Sequence, residues 1–121
     1  MQDDADLIGI LLVAKKLKSK FEWYEHERIS AEIGLDPKIA QAIGRGERPT
    51  LTEDQAIVYD FANEALETVN ISDETYKRVV DRFGEIGLVD LTCTIGYYCA
   101  YAFILNIGRY QIPPGVSSPI A

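Results

Sequence analysis

The sequence predicts an all-α fold of about six helices, forming a single domain over residues 1–121. Apolar residues recur at three- and four-residue spacing in successive segments, as one buried face of an α-helix requires. Helix-capping residues precede several of these segments. No segment shows the alternation of apolar and polar residues that is typical of a half-buried strand. A chain of 121 residues with 47% hydrophobic content is long enough to bury a core.

The first two helices are predicted from apolar runs and the residues that end them. One covers Leu7 to Leu17, and the lysines near its end suit a helix C-terminus. After a short break at residues 18–20, the second runs from about Phe21 to Ile33. Gly34 then supplies the left-handed residue that commonly follows a helix.

Capping signals place the next two helices. Asp36 as N-cap and Pro37 in the first turn open a short third helix, which stops at the turn of residues 44–46. Thr52 and Gln55 stand three residues apart and form a capping-box sequence at the start of the fourth helix.

The remaining chain holds a capped helix, a long apolar segment and a tail. Ser72 caps the fifth helix, and Gly84 and Gly87 mark the crossing into the segment from Ile86 to Ile107. About 20 apolar residues are enough to span a bilayer. Because the preceding amphipathic segments need an apolar partner, we expect instead a buried central helix that also meets another subunit. Residues 112–121 are predicted to be an irregular tail.

Composition and charge limit the classes of partner and the cellular compartment that we expect for this chain. The net charge of −7 disfavours nucleic acid and anionic membranes, although Lys20 and Arg28 leave room for an anionic substrate. Cys93 and Cys99 are too far apart on a helix for a disulfide, and we expect both to be reduced and buried. The acidic N-terminus lacks the basic region of a secretory signal. Together these features predict a cytoplasmic protein.

His26 is the only histidine, and it is the first candidate for moving protons. Glu22 precedes it by one helical turn, so we expect the Glu22 carboxylate to hold one imidazole nitrogen and leave the other free. This predicts acid/base chemistry without a metal or a cofactor. The alternative is a structural histidine whose pKa is raised by Glu25 and Glu27. A zinc site is not expected, because Ser30 stands where His-Glu-x-x-His has its second histidine.

The order and spacing of several motifs resemble the carboxymuconolactone decarboxylase family, which includes the alkylhydroperoxidase D-like proteins. The motifs are Phe21-Glu22-Trp23-Tyr24-Glu25-His26, Gly34-Leu35, the helix Ala56–Thr68, Ser72-Asp73-x-x-Tyr76, Phe83-Gly84-Glu85-x-Gly87-Leu88-Val89-Asp90-Leu91, Ile95-Gly96-Tyr97-Tyr98 and Leu105-Asn106. The resemblance implies the alkylhydroperoxidase D-like helical fold and a homo-oligomer, either a trimer or a hexamer. Relatives often carry further helices before the first one here. If those helices are missing, we expect an exposed face of the Leu7–Leu17 helix to need a partner chain.

The resemblance implies an acid/base enzyme acting on a small organic acid or lactone. In the decarboxylase branch a histidine in the matching segment does this work, so His26 becomes the candidate proton carrier and Glu22 its orienting partner. The implied substrate-binding residues are aromatic and amide side chains: Trp23, Tyr97, Tyr98 and Asn106.

Two other functions stay open. The chain is alternatively a non-catalytic helical binding or assembly protein on the same scaffold. A weaker alternative is peroxidase activity of the alkylhydroperoxidase type. That branch of the family carries a Cys-x-x-Cys pair, and here Ser19 and Glu22 fall at those two positions. Thiol peroxidase chemistry needs a low-pKa thiolate and a resolving thiol.

Overall fold

The computed structural model describes residues 3–120 and confirms the all-α class, with no strand in that part of the chain. Its helices are α1 (Asp4–Lys16), α2 (Lys20–Glu32), α3 (Pro37–Gly44), α4 (Glu53–Thr68) and α5 (Asp73–Ile107). The fifth and sixth predicted helices form one continuous element, α5, that bends at Gly84. The expected crossing lies inside α5, where Gly84 alone has non-helical angles.

The central helix is α1, which contacts each of the other four helices. All eight residues from Leu7 to Ala14 are buried. The prediction that this helix presents a face needing a partner chain is therefore wrong. This part of α1 is apolar on every side. It therefore buries more apolar surface in the centre of the bundle, surrounded by the amphipathic faces of the other helices, than it would at the edge.

The apolar segment from Ile86 to Ile107 is not the buried centre that we expected. It lies along the outside of the bundle, and only 22% of its most apolar 18-residue stretch is buried. Ile86 is 80% exposed and Ile107 is 75% exposed. Within residues 3–120, α5 is the one helix that is long and apolar enough to cross a membrane, judged by length and composition.

The predicted helix boundaries agree with the structure to within about a residue or two, except that α1 begins at Asp4 and not at the predicted Leu7. In the capping box of α4, the Gln55 N–H donates to Thr52 Oγ1 over 3.3 Å and the Thr52 N–H donates to Gln55 Oε1 over 3.0 Å. Asp36 and Ser72 cap α3 and α5 through their side chains. Gly34 follows α2 with a φ of 86°, as its predicted role requires.

Gly84 divides α5 into two helical segments. Its φ of 78° and ψ of 174° belong to a region that is essentially restricted to glycine. The first segment is tied to α4 by two arginine–carboxylate pairs, Arg78 with Asp60 and Arg82 with Asp54. The second segment, after the bend, lies against α1 and brings its residues to α2.

The predicted irregular tail contains no helix over residues 112–120, but it is anchored. Ile120 is 3% exposed and belongs to the hydrophobic core. The Lys15 ammonium donates to the carbonyl oxygens of Gly44, over 2.8 Å, and Pro119, over 3.3 Å. The tail therefore closes the bundle beside α3.

Candidate functional site

The candidate site lies between α2 and the second segment of α5. Glu22 and His26 share one face of α2, and their side chains are 0% and 4% exposed. Tyr98 of α5 packs edge-on against the imidazole, with ring centroids 5.1 Å apart and an interplanar angle of 82°. The structure thus brings together three of the predicted site residues in an enclosed position.

The imidazole is held by the backbone and not by a carboxylate. His26 Nδ1 lies 2.9 Å from the backbone carbonyl oxygen of Glu22, so the expectation that the Glu22 carboxylate orients the ring is wrong. Long helical side chains point back toward the preceding turn, which brings the ring to that carbonyl. A carbonyl only accepts, so Nδ1 carries the hydrogen and the neutral ring has its lone pair on Nε2.

The pKa of His26 lies below its ordinary value of 6.5, mainly because burial disfavours the charged ring. The hydrogen bond to the Glu22 carbonyl and the charge of Glu25 act in the opposite direction but are weaker. The expectation that neighbouring carboxylates raise this pKa is therefore wrong. His26 is a neutral imidazole at pH 7.

The Glu22 carboxyl is the most unusual group of the site. Both of its oxygens are buried, and neither has a hydrogen-bond partner among residues 3–120. Burial raises the pKa of this carboxyl to about 8, and the charge of Glu25 contributes in the same direction. An ionised carboxylate without a partner is costly in such surroundings, so the group holds its proton at neutral pH.

A local partner for Glu22 exists in the sequence and is not used. Ser19 and Glu22 have capping-box spacing at the start of α2, yet Ser19 makes no side-chain cap. The Ser19 N–H donates instead to the Ala14 carbonyl over 2.9 Å, and Ser19 Oγ is buried without a partner among residues 3–120. The Glu22 carboxyl is therefore kept away from its ordinary helix-capping role.

Two α5 residues that the sequence did not indicate also belong to this environment. The pKa of the half-buried Cys99 thiol is raised by burial and by the charge of Glu22. The Tyr101 hydroxyl donates to Glu25 Oε1 over 3.1 Å, and burial together with that carboxylate raises its pKa to about 12. Cys93, in contrast, is exposed, so the prediction that both cysteines are buried is wrong.

Trp23 and Tyr97 lie away from the imidazole. Trp23 is 2% exposed and faces α3 and the tail, where it lines a small cavity with Gly44 and Pro119. Its Nε1 has no hydrogen-bond partner among residues 3–120. Tyr97 is 64% exposed on the outer side of α5, where its ring contacts Tyr98 edge-on and stacks on Tyr101.

Asn106 and Arg28 are engaged elsewhere. Asn106 Nδ2 donates to the Leu17 carbonyl over 2.9 Å and so closes the C-terminal end of α1. Arg28, a candidate for holding an anionic substrate, pairs with Glu32 one turn later on the exposed side of α2.

In the described part of the chain, no three His, Cys, Asp or Glu side chains are grouped so that they could hold a metal ion. The chemistry that the site offers is proton transfer by a neutral carboxyl and a neutral imidazole. No family model, curated protein or solved structure matches this chain.

Proposed function

We propose that this chain is a cofactor-free acid/base enzyme of the carboxymuconolactone decarboxylase type, acting in the cytoplasm on a small organic acid or lactone. The observation that carries the proposal is the Glu22 carboxyl, buried without a partner and with a pKa of about 8, one turn from a neutral His26.

Energetics support a functional role for Glu22. A buried carboxyl without a hydrogen bond destabilises the fold. In a capping box with Ser19, the Glu22 carboxylate would accept a hydrogen bond at the helix end and avoid this cost, but the capping box does not form. A catalytic role is one explanation for a buried polar group without a partner, and strongly shifted pKa values cluster at functional sites. A general acid works best when its pKa lies near the working pH, which a carboxyl at about 8 satisfies.

The proposal gives the two side chains separate roles. In a decarboxylation the electron pair of the broken C–C bond stays on the substrate carbon as CO₂ leaves. The Glu22 carboxyl then gives its proton to that carbon, and Glu22 regains a proton from solvent. His26, with its lone pair on Nε2, accepts the proton from solvent and passes it to the Glu22 carboxylate, so that both groups end the cycle neutral. The backbone carbonyl of Glu22 orients the His26 ring.

One observation favours the alternative of a non-catalytic binding or assembly protein. The His26 ring is 4% exposed and covered by Tyr98, as expected of a core side chain. Under the enzymatic proposal, substrate enters only after α2 and α5 separate beside Tyr98. Peroxidase activity has less support, because the raised pKa of Cys99 disfavours the reactive thiolate.

Glu22→Gln tests the enzymatic proposal. The amide keeps the shape of the carboxyl but has no acidic proton to donate. We therefore expect turnover to be lost while the melting temperature at pH 7 is retained. CO₂ release from a panel of small lactone acids measures turnover. Glu27→Gln, an exposed change on the same helix, is the control and keeps full activity. Full activity in Glu22→Gln would contradict the proposal, and a wild-type protein inactive on the whole panel would favour the alternative.

We also propose that the chain assembles as a trimer or hexamer through an apolar stripe on the second segment of α5. The stripe consists of exposed side chains on one side of the helix: Ile86, Val89, Tyr97, Phe103, Ile104 and Ile107, each 56–80% exposed. A continuous apolar surface of this kind is typical of a protein–protein interface. Around a threefold axis, the stripes of three copies can meet and cover one another.

A further inference from the structure

A polar cavity of about 450 Å³ lies where the start of α2 meets the end of α5. Three cationic residues line it, Lys18, Lys20 and Arg109, and no carboxylate does. Phe21 and Tyr110 form one wall, with their rings edge-on and the centroids 5.6 Å apart. The cavity therefore combines positive charge with an aromatic surface.

These three cations have no carboxylate partner among residues 3–120. Seven other Lys and Arg residues pair with carboxylates: Lys16, Arg28, Arg45, Arg48, Lys77, Arg78 and Arg82. The chain has 19 Asp and Glu against 12 Lys and Arg, so acidic partners are plentiful. Like charges grouped without a counter-charge repel one another, and an incoming anion relieves that repulsion.

The backbone is held in place at two of the three cations. Lys18 and Arg109 both have left-handed angles, with φ of 56° and 61°. Asn106 links the two segments, because its side chain donates to the Leu17 carbonyl and its own carbonyl accepts from Arg109 Nη1 over 3.2 Å. The cavity is thus held by the junction of α1, α2 and α5 and does not depend on flexible side chains alone.

We propose that this cavity binds a small molecule carrying at least two negative charges, either a dicarboxylate or a phosphate compound. The three cations attract the negative groups of this ligand, and its short carbon skeleton packs against the Phe21–Tyr110 wall. The site is separate from the Glu22 carboxyl. Neither Glu22 nor His26 lines this cavity. The proposal therefore stands whether or not Glu22 is catalytic.

Calorimetric titration of the full chain tests the proposal with two probes, succinate for carboxylates and inorganic pyrophosphate for phosphates. We expect saturable binding of at least one probe, one per chain, that weakens as salt is added. Lys20→Gln and Arg109→Gln should each weaken binding roughly tenfold, as expected for loss of a charge-assisted contact. Arg109→Lys keeps the charge and should retain most of the affinity.

Lys38→Gln is the matched control, because Lys38 is also an exposed cation without a carboxylate partner in the described chain but lies on α3, away from the cavity. It should leave affinity unchanged. Failure of both probes to saturate at millimolar concentration would overturn the proposal. Equal weakening by Lys38→Gln and Lys20→Gln would also overturn it, since that result indicates diffuse attraction without a site. Melting curves of each variant verify that the fold is retained.

Discussion

His26 Nδ1 lies 2.9 Å from the backbone carbonyl oxygen of Glu22, whereas the carboxyl of the same glutamate has no hydrogen-bond partner among residues 3–120. The backbone and side chain of one residue thus serve different purposes. The carbonyl fixes the tautomer of the ring, and the carboxyl keeps its proton. The ordinary order of the two pKa values is reversed, with Glu22 at about 8 and His26 below 6.5. Environments that displace pKa values in this way are typical of acid/base pairs.

The first prediction concerns the pH dependence of stability. The pKa of Glu22 rises from 4.5 in the unfolded chain to about 8 in the fold, so the folded state binds more protons between those values. Stability is therefore highest below pH 4.5 as far as Glu22 is concerned, and it is lost as pH rises through 8. His26 acts in the opposite sense but only below 6.5, its unfolded pKa. From pH 6.5 to 8 we expect the free energy of unfolding to fall by about 2 kcal/mol.

Urea denaturation at several pH values in this window measures the effect. Glu22→Gln should remove the slope and leave the protein more stable than wild type at pH 8. Glu27→Gln, on the exposed side of α2, should keep the wild-type slope. A wild-type stability that is flat from pH 6.5 to 8 would show that the carboxyl does not hold its proton.

The second prediction concerns the imidazole itself. His26→Ala removes a buried ring, its contact with Tyr98 and its hydrogen bond to the Glu22 carbonyl. We expect a loss of about 2–3 kcal/mol in the free energy of unfolding at pH 7, independent of any catalytic role. Arg28→Ala, an exposed change on the same helix, should cost about 0.5 kcal/mol or less. Equal stability of the two variants would indicate that the ring is not packed as described.

The third prediction separates backbone strain from packing in α5. A Cβ added at Gly84 or at Gly96 meets no atom within 4 Å, so neither substitution creates a clash. Gly84 has a φ of 78°, which an alanine tolerates poorly, and Gly84→Ala should destabilise the fold by about 1–3 kcal/mol. Gly96 is helical, and Gly96→Ala should be neutral or stabilise by up to about 1 kcal/mol. Thermal unfolding of the two variants measures the difference. Equal melting temperatures for Gly84→Ala and Gly96→Ala would contradict the left-handed backbone angles at Gly84.

The fourth prediction concerns the apolar stripe of α5. Ile104 is 61% exposed, so Ile104→Glu leaves the single chain folded but places a charge in the proposed interface. Sedimentation velocity without detergent should show a trimer or hexamer of the 13.5 kDa chain for wild type and a smaller species for the variant. Ile33→Glu, at a 47% exposed position outside the stripe, should assemble like wild type. A wild-type protein that sediments as a monomer would contradict self-assembly.

Local sequence signals predicted the helix boundaries well because capping depends on neighbouring residues. Thr52 with Gln55, Asp36 with Pro37, and Ser72 all behave as their sequence positions indicate. Which helix lies at the centre was predicted wrongly. Both α1 and the second segment of α5 are apolar on most sides, and hydrophobicity alone does not say which one the other helices surround.

The candidate site was predicted in part. Helical spacing correctly placed Glu22 and His26 on one face, but it does not distinguish a carboxylate from a carbonyl one turn earlier as the partner of the ring. Ser19 carried a local signal, since its spacing from Glu22 suggests a capping box. Cys99 carried none, because its proximity to Glu22 arises only from the packing of α5 on α2.

The anchored tail has a practical consequence. Pro119 lies against Gly44 and Trp23, and Ile120 occupies the core, so a protease that trims this end removes interior side chains and not a loose extension. Such trimming would uncover the indole, which is the chain's only tryptophan. Its fluorescence would shift to longer wavelength and become accessible to a soluble quencher such as iodide, giving an optical report on whether this end of the molecule is intact.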